Sequence, residues 1–179
     1  MINNKIDDLA NDYTLAIEGY KLFFLLHVTA DAIHKLREIE LKKYGISPQQ
    51  SLALVCIYSL KNKATPAELS RWLYREPNSV TILLNRMDKL GLIKKKADTK
   101  RKNIIRLSLT KKGLIAYQSA VKLKNFHNIA NILSKTKRKQ LHSILQSIRE
   151  EVFTRLNLDV SYTSSMDNAV FEPSDPEKK

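Results

Sequence analysis

Apolar residues recur at three- and four-residue steps in the N-terminal quarter of the chain, the spacing of one face of a helix. The first run predicts a long helix from about Tyr13 to Tyr44, ended by Gly45. A second helix is predicted to open at Ser47 through a capping box and to end near Lys61. The first helix carries Leu15, Leu22, Leu26, Ile33 and Leu36 along one stripe, and the side chains expected to face inward in the second helix are Leu52, Val55, Cys56 and Leu60.

Two shorter helices separated by a tight turn are predicted next. Thr65 can cap the first, Pro66 suits its first position, and Glu68 can reach back to complete a capping box. Residues 74 to 76 form the turn, and Pro77 opens the second helix, which Gly91 ends. The inward faces are predicted to hold Ala67, Leu69, Trp72 and Leu73 in the first helix, and Val80, Leu83, Leu84, Met87 and Leu90 in the second.

After Gly91 the apolar period changes from helical to alternating, which predicts a hairpin over residues 92 to 109. Ile105, Leu107 and Leu109 should share one face, with Arg106 and Ser108 on the other. Helix, turn, helix and hairpin in this order form a winged helix-turn-helix, which presents its second helix to a DNA major groove. The fold class is therefore mainly α with a small β-hairpin wing.

The C-terminal third is predicted to be helical again. Thr110 can cap a helix beginning at Lys111, and a break near residues 134 to 136 precedes a last helix. Its stripe has heptad-like spacing: Leu141, Leu145, Ile148, Val152 and Leu156. Residues 157 to 179 lack periodicity and are expected to be disordered, with Val170-Phe171 as the one segment that could dock on a neighbour.

Polar side chains on the second short helix and in the hairpin are the candidate DNA contacts. The net charge of +13 is concentrated in the predicted DNA-binding segment, since residues 61 to 112 hold fifteen Lys or Arg and four acids. A charge run alone more often marks only a solvated surface, but its position beside a candidate recognition helix favours a polyanion. The recognition-helix candidates are Asn78, Ser79, Thr81, Ile82, Asn85, Arg86 and Lys89; the hairpin candidates are Lys94, Lys96, Asp98, Lys100, Arg101, Lys102 and Arg106; the phosphate-backbone candidates are Thr65, Arg71 and Arg75.

Three runs in the middle third carry a family resemblance. They are residues 67 to 73 (AELSRWL), 79 to 93 (SVTILLNRMDKLGLI) and 109 to 113 (LTKKG). The chain resembles the MarR family of winged-helix transcriptional regulators over these runs, and in pattern over roughly residues 12 to 156. The resemblance implies a homodimeric regulator, most often a repressor, that binds a pseudo-palindromic operator and is released by a small molecule or an oxidant.

The chain departs from the family pattern at three places. The family's hairpin has an Asp-Arg-Arg run before its second strand, whereas this chain has Arg101-Lys102-Asn103 and an aspartate only at Asp98. Arg101 is the favoured minor-groove residue, and Lys100 and Lys102 are expected to contact phosphates. The register of the hairpin tip could shift this assignment by one or two positions. Tyr74 stands where the family's turn often has glycine. Ile82 could touch a thymine methyl, although a place at the edge of the buried stripe is the favoured interpretation.

The dimer implied by the resemblance would be formed by the outer helices. This divides the chain into an N-terminal dimerisation helix (1 to 45), the DNA-binding domain (46 to 113, wing 92 to 109), C-terminal dimerisation helices (114 to 156) and the tail. The predicted interface holds Leu15, Leu22, Leu145, Ile148, Val152 and Leu156. Such a dimer would separate two recognition helices by about one turn of B-DNA, roughly 34 Å. Packing within one chain is the alternative.

Signals for regulation are weaker in the sequence. Cys56, the single cysteine, could sense an oxidant but lies in an apolar helical run that favours core packing. His27, Asp31, His34 and Glu38 share one helix face, yet a single helix seldom completes a metal site, and no metal or cofactor is predicted. The resemblance implies an effector pocket where the first, second and fifth helices meet the DNA-binding unit. The candidates there are Phe23, His27, His34, Tyr58 and Tyr117, although core packing explains each residue as well.

Other classes of protein find less support. Signal-peptide and membrane-spanning patterns are not recognised in the sequence, so a cytoplasmic location without membrane contact is expected. No phosphate-binding loop, Gly-x-Ser-x-Gly or Cys/His metal spacing indicates an enzyme. The remaining alternative is an architectural winged helix that binds DNA without sequence preference.

Overall fold

The computed structural model describes the backbone of residues 2 to 160, and the side chains from residue 13 onward except at position 126. It contains seven α-helices and one two-stranded antiparallel sheet in that part of the chain. The helices are α1 (Ile2–Lys42), α2 (Pro48–Leu60), α3 (Pro66–Leu73), α4 (Pro77–Lys89), α5 (Lys111–Val121), α6 (Lys124–Asn131) and α7 (Lys135–Arg155); the strands are β1 (Ile93–Ala97) and β2 (Ile105–Leu109). The prediction of a mainly helical winged helix-turn-helix is confirmed.

The chain divides into two compact units, the first ending at Glu40 and the second starting at Leu41. The first unit consists of most of α1. This helix begins earlier than predicted, at Ile2, and ends at Lys42 rather than Tyr44. Gly45 has a φ of 67°, a left-handed conformation that glycine adopts without strain, so the chain turns there as expected.

The second unit contains the helix-turn-helix and the hairpin around one apolar core. α2 opens with the predicted capping box: Ser47 Oγ accepts from the Gln50 N–H, and Gln50 Oε1 accepts from the Ser47 N–H. The core is made of residues that α2, α3, α4 and the hairpin turn toward one another. It includes Ala53, Leu54, Cys56, Ile57, Leu69, Trp72, Val80, Leu84, Met87, Leu92, Ile93, Leu107, Ala116, Ala120 and Leu123.

Several predicted inward positions are wrong. Leu52 and Leu90 are each 42% exposed, and Ala67 is also exposed. The inward face of α2 is centred on Ala53, Leu54 and Ile57 instead, so the predicted stripe was displaced by about one residue. Helix sides differ by only 100° per residue, and a run such as Leu52 to Ile57 fits several phases of that period.

The capping and breaks of the other helices also differ in detail. Thr65 caps α3 as predicted, but the Glu68 carboxylate pairs with Arg71 instead of closing a capping box. Thr110 and Ser134 cap α5 and α7 at the predicted positions. A break at Lys122 and Leu123, which the sequence analysis missed, separates α5 from α6.

The C-terminal tail falls mostly outside the described residues, including the Val170-Phe171 segment. α7 ends at Arg155, one residue before the last member of its predicted stripe. Among the residues that the structure describes, no helix is both long and apolar enough to cross a membrane.

Candidate nucleic-acid interface

The candidate recognition helix α4 is fixed by its two ends and by its buried face. Pro77 occupies its first position, and Val80, Leu84 and Met87 are buried in the core of the second unit. At its C-terminal end the Gly91 N–H donates to Asp88 O (2.8 Å) and the Leu92 N–H to Met87 O (2.9 Å). Gly91 has a φ of 68°, so the sequence places glycine where this helix-ending motif requires a left-handed residue.

The opposite face of α4 is exposed, as predicted. All seven side chains proposed for base or phosphate contact, from Asn78 to Lys89, are exposed. Ile82 is 53% exposed and so lies outside the buried stripe, and its contact with a thymine methyl stays a prediction. The Thr81 hydroxyl donates to Pro77 O (2.9 Å), so its oxygen remains an acceptor toward a partner.

Lys95 connects the wing to this face, and the sequence analysis missed it. Its Nζ donates to Asn85 Oδ1 at 2.6 Å and lies 3.9 Å from Asp88 Oδ2. The Lys95 side chain is only 25% exposed, whereas Lys94 and Lys96 point away into solvent. Strand alternation was the available signal, because Lys95 shares its strand face with Ile93, which is buried against the core.

The tip of the hairpin is organised by Asp98. One carboxylate oxygen accepts the N–H groups of Lys100 (2.8 Å) and Arg101 (3.0 Å), while the other accepts Arg106 Nε at 2.6 Å. The hydrogen bond from the Arg106 side chain, supported by the two backbone N–H groups, lowers the Asp98 pKa to about 2. Two predicted DNA contacts, Asp98 and Arg106, are therefore paired with each other.

The remaining wing candidates are exposed around that tip: Lys94, Lys96, Lys100, Arg101 and Lys102. Because the Asp98 carboxylate fixes the backbone N–H of Arg101, this residue has a defined place at the turn. Its side chain remains available to solvent. The hairpin tip is thus a defined turn surrounded by the cationic side chains of lysine and arginine.

The turn between α3 and α4 contains one residue in an uncommon conformation. Tyr74 has φ 48° and ψ 56°, the left-handed region, at the position where the MarR resemblance predicts glycine. The turn is held by the Tyr74 N–H donating to Arg71 O (3.2 Å) and the Arg75 N–H donating to Ser70 O (3.0 Å). The Tyr74 ring also lies against Phe153 of α7, with ring centroids 5.5 Å apart.

The three phosphate-backbone candidates have different surroundings. The Thr65 hydroxyl accepts the Glu68 N–H at 3.1 Å and therefore serves as a helix cap. Arg71 Nη1 lies 3.2 Å from Glu68 Oε1, and Arg75 is exposed in the turn. Of the three, Arg75 has the most open position toward a partner.

The start of α5 is attached directly to the end of α4. The Thr110 hydroxyl donates to Gly91 O (2.6 Å), the Thr110 N–H donates to Leu92 O (3.1 Å), and Lys112 Nζ donates to Leu90 O (2.8 Å). A Cβ atom at Gly113 would lie 1.9 Å from Leu92 O, so only glycine fits this junction. The LTKKG run thereby joins the recognition helix to the C-terminal helices.

The effector candidates are divided between the two compact units. In the second unit, Tyr58 and Tyr117 stack with centroids 4.2 Å apart, and burial together with the nearby Tyr58 raises the Tyr117 pKa. An open groove of about 440 Å³ beside Tyr58 is lined by Ile57, Tyr58, Lys61, Ser108, Leu109, Thr110, Lys111 and Leu114. Phe23, His27 and His34 belong to the first unit and are exposed there.

Cys56 and the stripe of His27, Asp31, His34 and Glu38 were the candidates for oxidant sensing and metal binding. Cys56 is buried, and this burial raises its thiol pKa to about 12, which favours the prediction of core packing over that of a reactive thiolate. His27 Nε2 lies 3.6 Å from Asp31 Oδ2, and Lys35 Nζ lies 2.9 Å from Glu38 Oε2. Within the described part of the chain, no group of three or more His, Cys, Asp or Glu could hold a metal ion.

Comparison with known proteins finds similarity to transcription regulators. An uncharacterized HTH-type transcriptional regulator of Bacillus subtilis, YsmB, is 34% identical over 89 residues, which cover 50% of this chain and 60% of YsmB. The organic hydroperoxide resistance transcriptional regulator of the same organism is 29% identical over 101 residues, covering 56% of this chain and 68% of that protein. The chain thus spans about two thirds or less of these curated relatives. No family model matches the chain.

Solved structures extend the similarity to the outer helices. The transcriptional regulator SlyA has a TM-score of 0.66 at 22% identity, over 73% of this chain and 93% of SlyA. The Staphylococcus aureus MepR–DNA complex has a TM-score of 0.65 at 17% identity, over 72% of this chain and 96% of MepR. All four proteins are described as regulators or as a DNA complex, and none of them as an enzyme.

Together, the exposed helix, the basic hairpin and these similarities define a winged helix-turn-helix protein. More narrowly, the chain has the fold of the MarR-type transcriptional regulators, so the resemblance recognised in residues 67 to 113 is confirmed.

Proposed function

We propose that the protein is a sequence-specific regulator of transcription that binds double-stranded DNA, with α4 in the major groove and the hairpin on the flanking backbone or minor groove. The observation that supports this most directly is the contact of Lys95 with Asn85. It joins the polar face of the recognition helix to the cationic hairpin, so that one protein surface offers base-contacting groups beside phosphate-contacting ones.

Charge supports the same proposal. Residues 61 to 112 carry a surplus of eleven positive charges, much of it on exposed wing side chains. Each phosphate that these side chains neutralise releases counterions, which produces affinity that falls steeply with salt. MepR, whose fold the chain shares, has been solved in complex with DNA.

A homodimer on a pseudo-palindromic operator is the second part of the proposal. The predicted interface residues are mostly exposed in a single chain: Leu15 67%, Leu22 54%, Leu145 40%, Val152 42% and Leu156 49%, with Ile148 half-buried. Apolar side chains exposed in such number on two helices favour association with a second copy. Repression would follow when the dimer occupies a promoter, and the site of action would be the cytoplasm.

Release by a small molecule is the third part. The groove beside Tyr58 is the first place to test, because it adjoins Thr110 and Lys111 at the junction between α4 and α5. A ligand there could shift DNA affinity only if it bound one conformation better than another.

The proposal is tested by binding to a duplex covering the upstream region of the protein's own coding sequence, with a scrambled duplex as competitor, at several salt concentrations. We expect a preference of at least roughly a thousandfold at physiological salt. Arg86→Ala should reduce that preference. Lys102→Ala, the wing control, should weaken binding to both duplexes alike and lower the salt slope by about one.

An architectural DNA-binding protein is the competing function. It would bind both duplexes equally, and Arg86→Ala would weaken it equally on both. If binding is absent even at low salt, nucleic acid is not the partner.

A further inference from the structure

The Asn85 amide has only one orientation available beside Lys95. A lysine ammonium has donors and no acceptor, so the amide atom facing it must be the oxygen. The 2.6 Å contact therefore assigns Oδ1 to the Lys95 side and directs the Nδ2 group away from it. Asn85 lies on the face of α4 that the proposed function places against base edges.

This orientation changes what Asn85 can recognise. A free asparagine pairs with adenine through both ends of its amide, since adenine offers an N6 donor and an N7 acceptor in the major groove. Here one lone pair of the oxygen accepts from an ammonium, and an adenine amino group approaching the other lone pair would meet a positive charge. Guanine offers only acceptors at the corresponding positions, O6 and N7.

The surroundings of Lys95 keep its ammonium at that place. Its side chain is 25% exposed, and Asp88 Oδ2 lies 3.9 Å from Nζ on the same side of α4. Lys95 is on the inward face of β1, opposite the buried Leu107, whereas Lys94 and Lys96 face solvent. The strand register thus separates one lysine that positions a base-contacting side chain from two that remain for phosphates.

We propose that Lys95 is a specificity-determining residue: its ammonium, bonded to Asn85 Oδ1, repels a second donor at that oxygen, and the pair thereby selects guanine over adenine in the major groove. This inference rests on the proposed function, in which α4 contacts bases. It extends that function by naming the base and the wing residue that determines it.

The experiment selects binding sites from a randomised duplex library with the full-length protein and with Asn85→Ala, which identifies the position that Asn85 contacts. Affinities for guanine and adenine at that position are then measured with wild type, Lys95→Met, Lys95→Arg and Lys96→Met. Methionine keeps an unbranched apolar stem but removes the ammonium. Thermal unfolding of each variant establishes that it is folded.

We expect wild type to prefer guanine at this position and Lys95→Met to prefer adenine, with a total change in the guanine-to-adenine ratio of roughly 5- to 150-fold. Lys95→Arg retains a cationic donor and should retain the guanine preference. Lys96→Met removes the same charge from the opposite face of β1. It should weaken binding to both duplexes without changing the ratio of the two affinities.

Three results would overturn the inference in distinguishable ways. An adenine preference in wild type that persists in Lys95→Met means that Lys95 does not control the amide. A selected site whose preferences are unchanged by Asn85→Ala means that Asn85 does not contact a base. If no position shows any preference, the proposed sequence-specific function fails, and the inference fails with it.

Discussion

At the scale of single residues, Tyr74 is the clearest case of a side chain placed against its backbone preference. A left-handed conformation costs a non-glycine residue about 1 to 2 kcal/mol. Three features keep Tyr74 there: the two backbone hydrogen bonds that end α3 and the contact of its ring with Phe153.

Comparing alanine with glycine at position 74 isolates the free-energy cost of the left-handed backbone conformation, since neither residue has the ring. We expect Tyr74→Gly to be more stable than Tyr74→Ala by about 1 kcal/mol, because only glycine avoids the left-handed penalty. Chemical denaturation measures the difference. At Gln118, an exposed helical position in α5, the order should reverse by about 0.5 to 1 kcal/mol. The same order at both positions would contradict the assigned conformation.

Asp98 provides a second residue-scale prediction. Its folded pKa of about 2 lies below the ordinary 3.8, so the ionised carboxylate stabilises the wing tip. This contribution is complete above the ordinary pKa and is lost as the pH falls toward 2. Carboxyl NMR should find a midpoint near 2 in wild type, and Arg106→Gln should raise it. A wild-type midpoint near 4 would show that the Arg106 contact is absent in solution.

At the scale of elements, the sequence predicted the helix-turn-helix and the wing because specific residues mark where each element begins or ends. Pro66, Pro77 and Gly91 mark helix ends, and alternation from Ile105 to Leu109 marks a strand. What the sequence could not give was rotational phase and side-chain partners. Leu52 and Leu90 satisfy the helical period and are nevertheless partly exposed, and Glu68 had two partners within reach. The break between α5 and α6 at Lys122 contains no proline or glycine, the residues that most often mark the end of a helix in sequence.

The junction between α4 and α5 yields the prediction for this scale. Gly113→Ala places a Cβ against Leu92 O and should lower the free energy of unfolding by about 1 to 3 kcal/mol or more, because backbone on both sides must move. Gln118→Ala in the same helix should have little effect. Thermal and denaturant unfolding provide the measurement. An unchanged midpoint for Gly113→Ala would mean that the two segments are not in contact.

At the scale of the whole molecule, the site residues are distributed among several segments, and the properties that matter are association and charge. Lys95 was missed because the three consecutive lysines were treated as one charge run, although alternation along β1 places Lys95 on the face of Ile93, and its contact with Asn85 depends on how β1 packs beside α4. The outer helices, by contrast, were predicted from their periodicity, and their role as an interface stays a prediction.

The proposed dimer predicts a sedimenting mass of twice the 20.6 kDa of one chain. Leu145→Asp should shift the protein toward monomer and weaken operator binding, since a charge would replace an apolar interface side chain. Ser143→Asp introduces the same charge about half a turn of α7 away and should leave the dimer intact. A wild-type monomer at micromolar concentration would contradict the dimer.

The bonds that attach Thr110, Lys112 and Gly113 to the end of α4 have a mechanical consequence. They attach α4, the proposed recognition helix, directly to α5, the first of the C-terminal helices. Because these contacts join the two helices directly, we expect a displacement of α5 to move α4 as well. A substitution that weakens these contacts, and leaves the proposed DNA-contacting side chains unchanged, should therefore disturb the proposed release by a small molecule while preserving DNA binding.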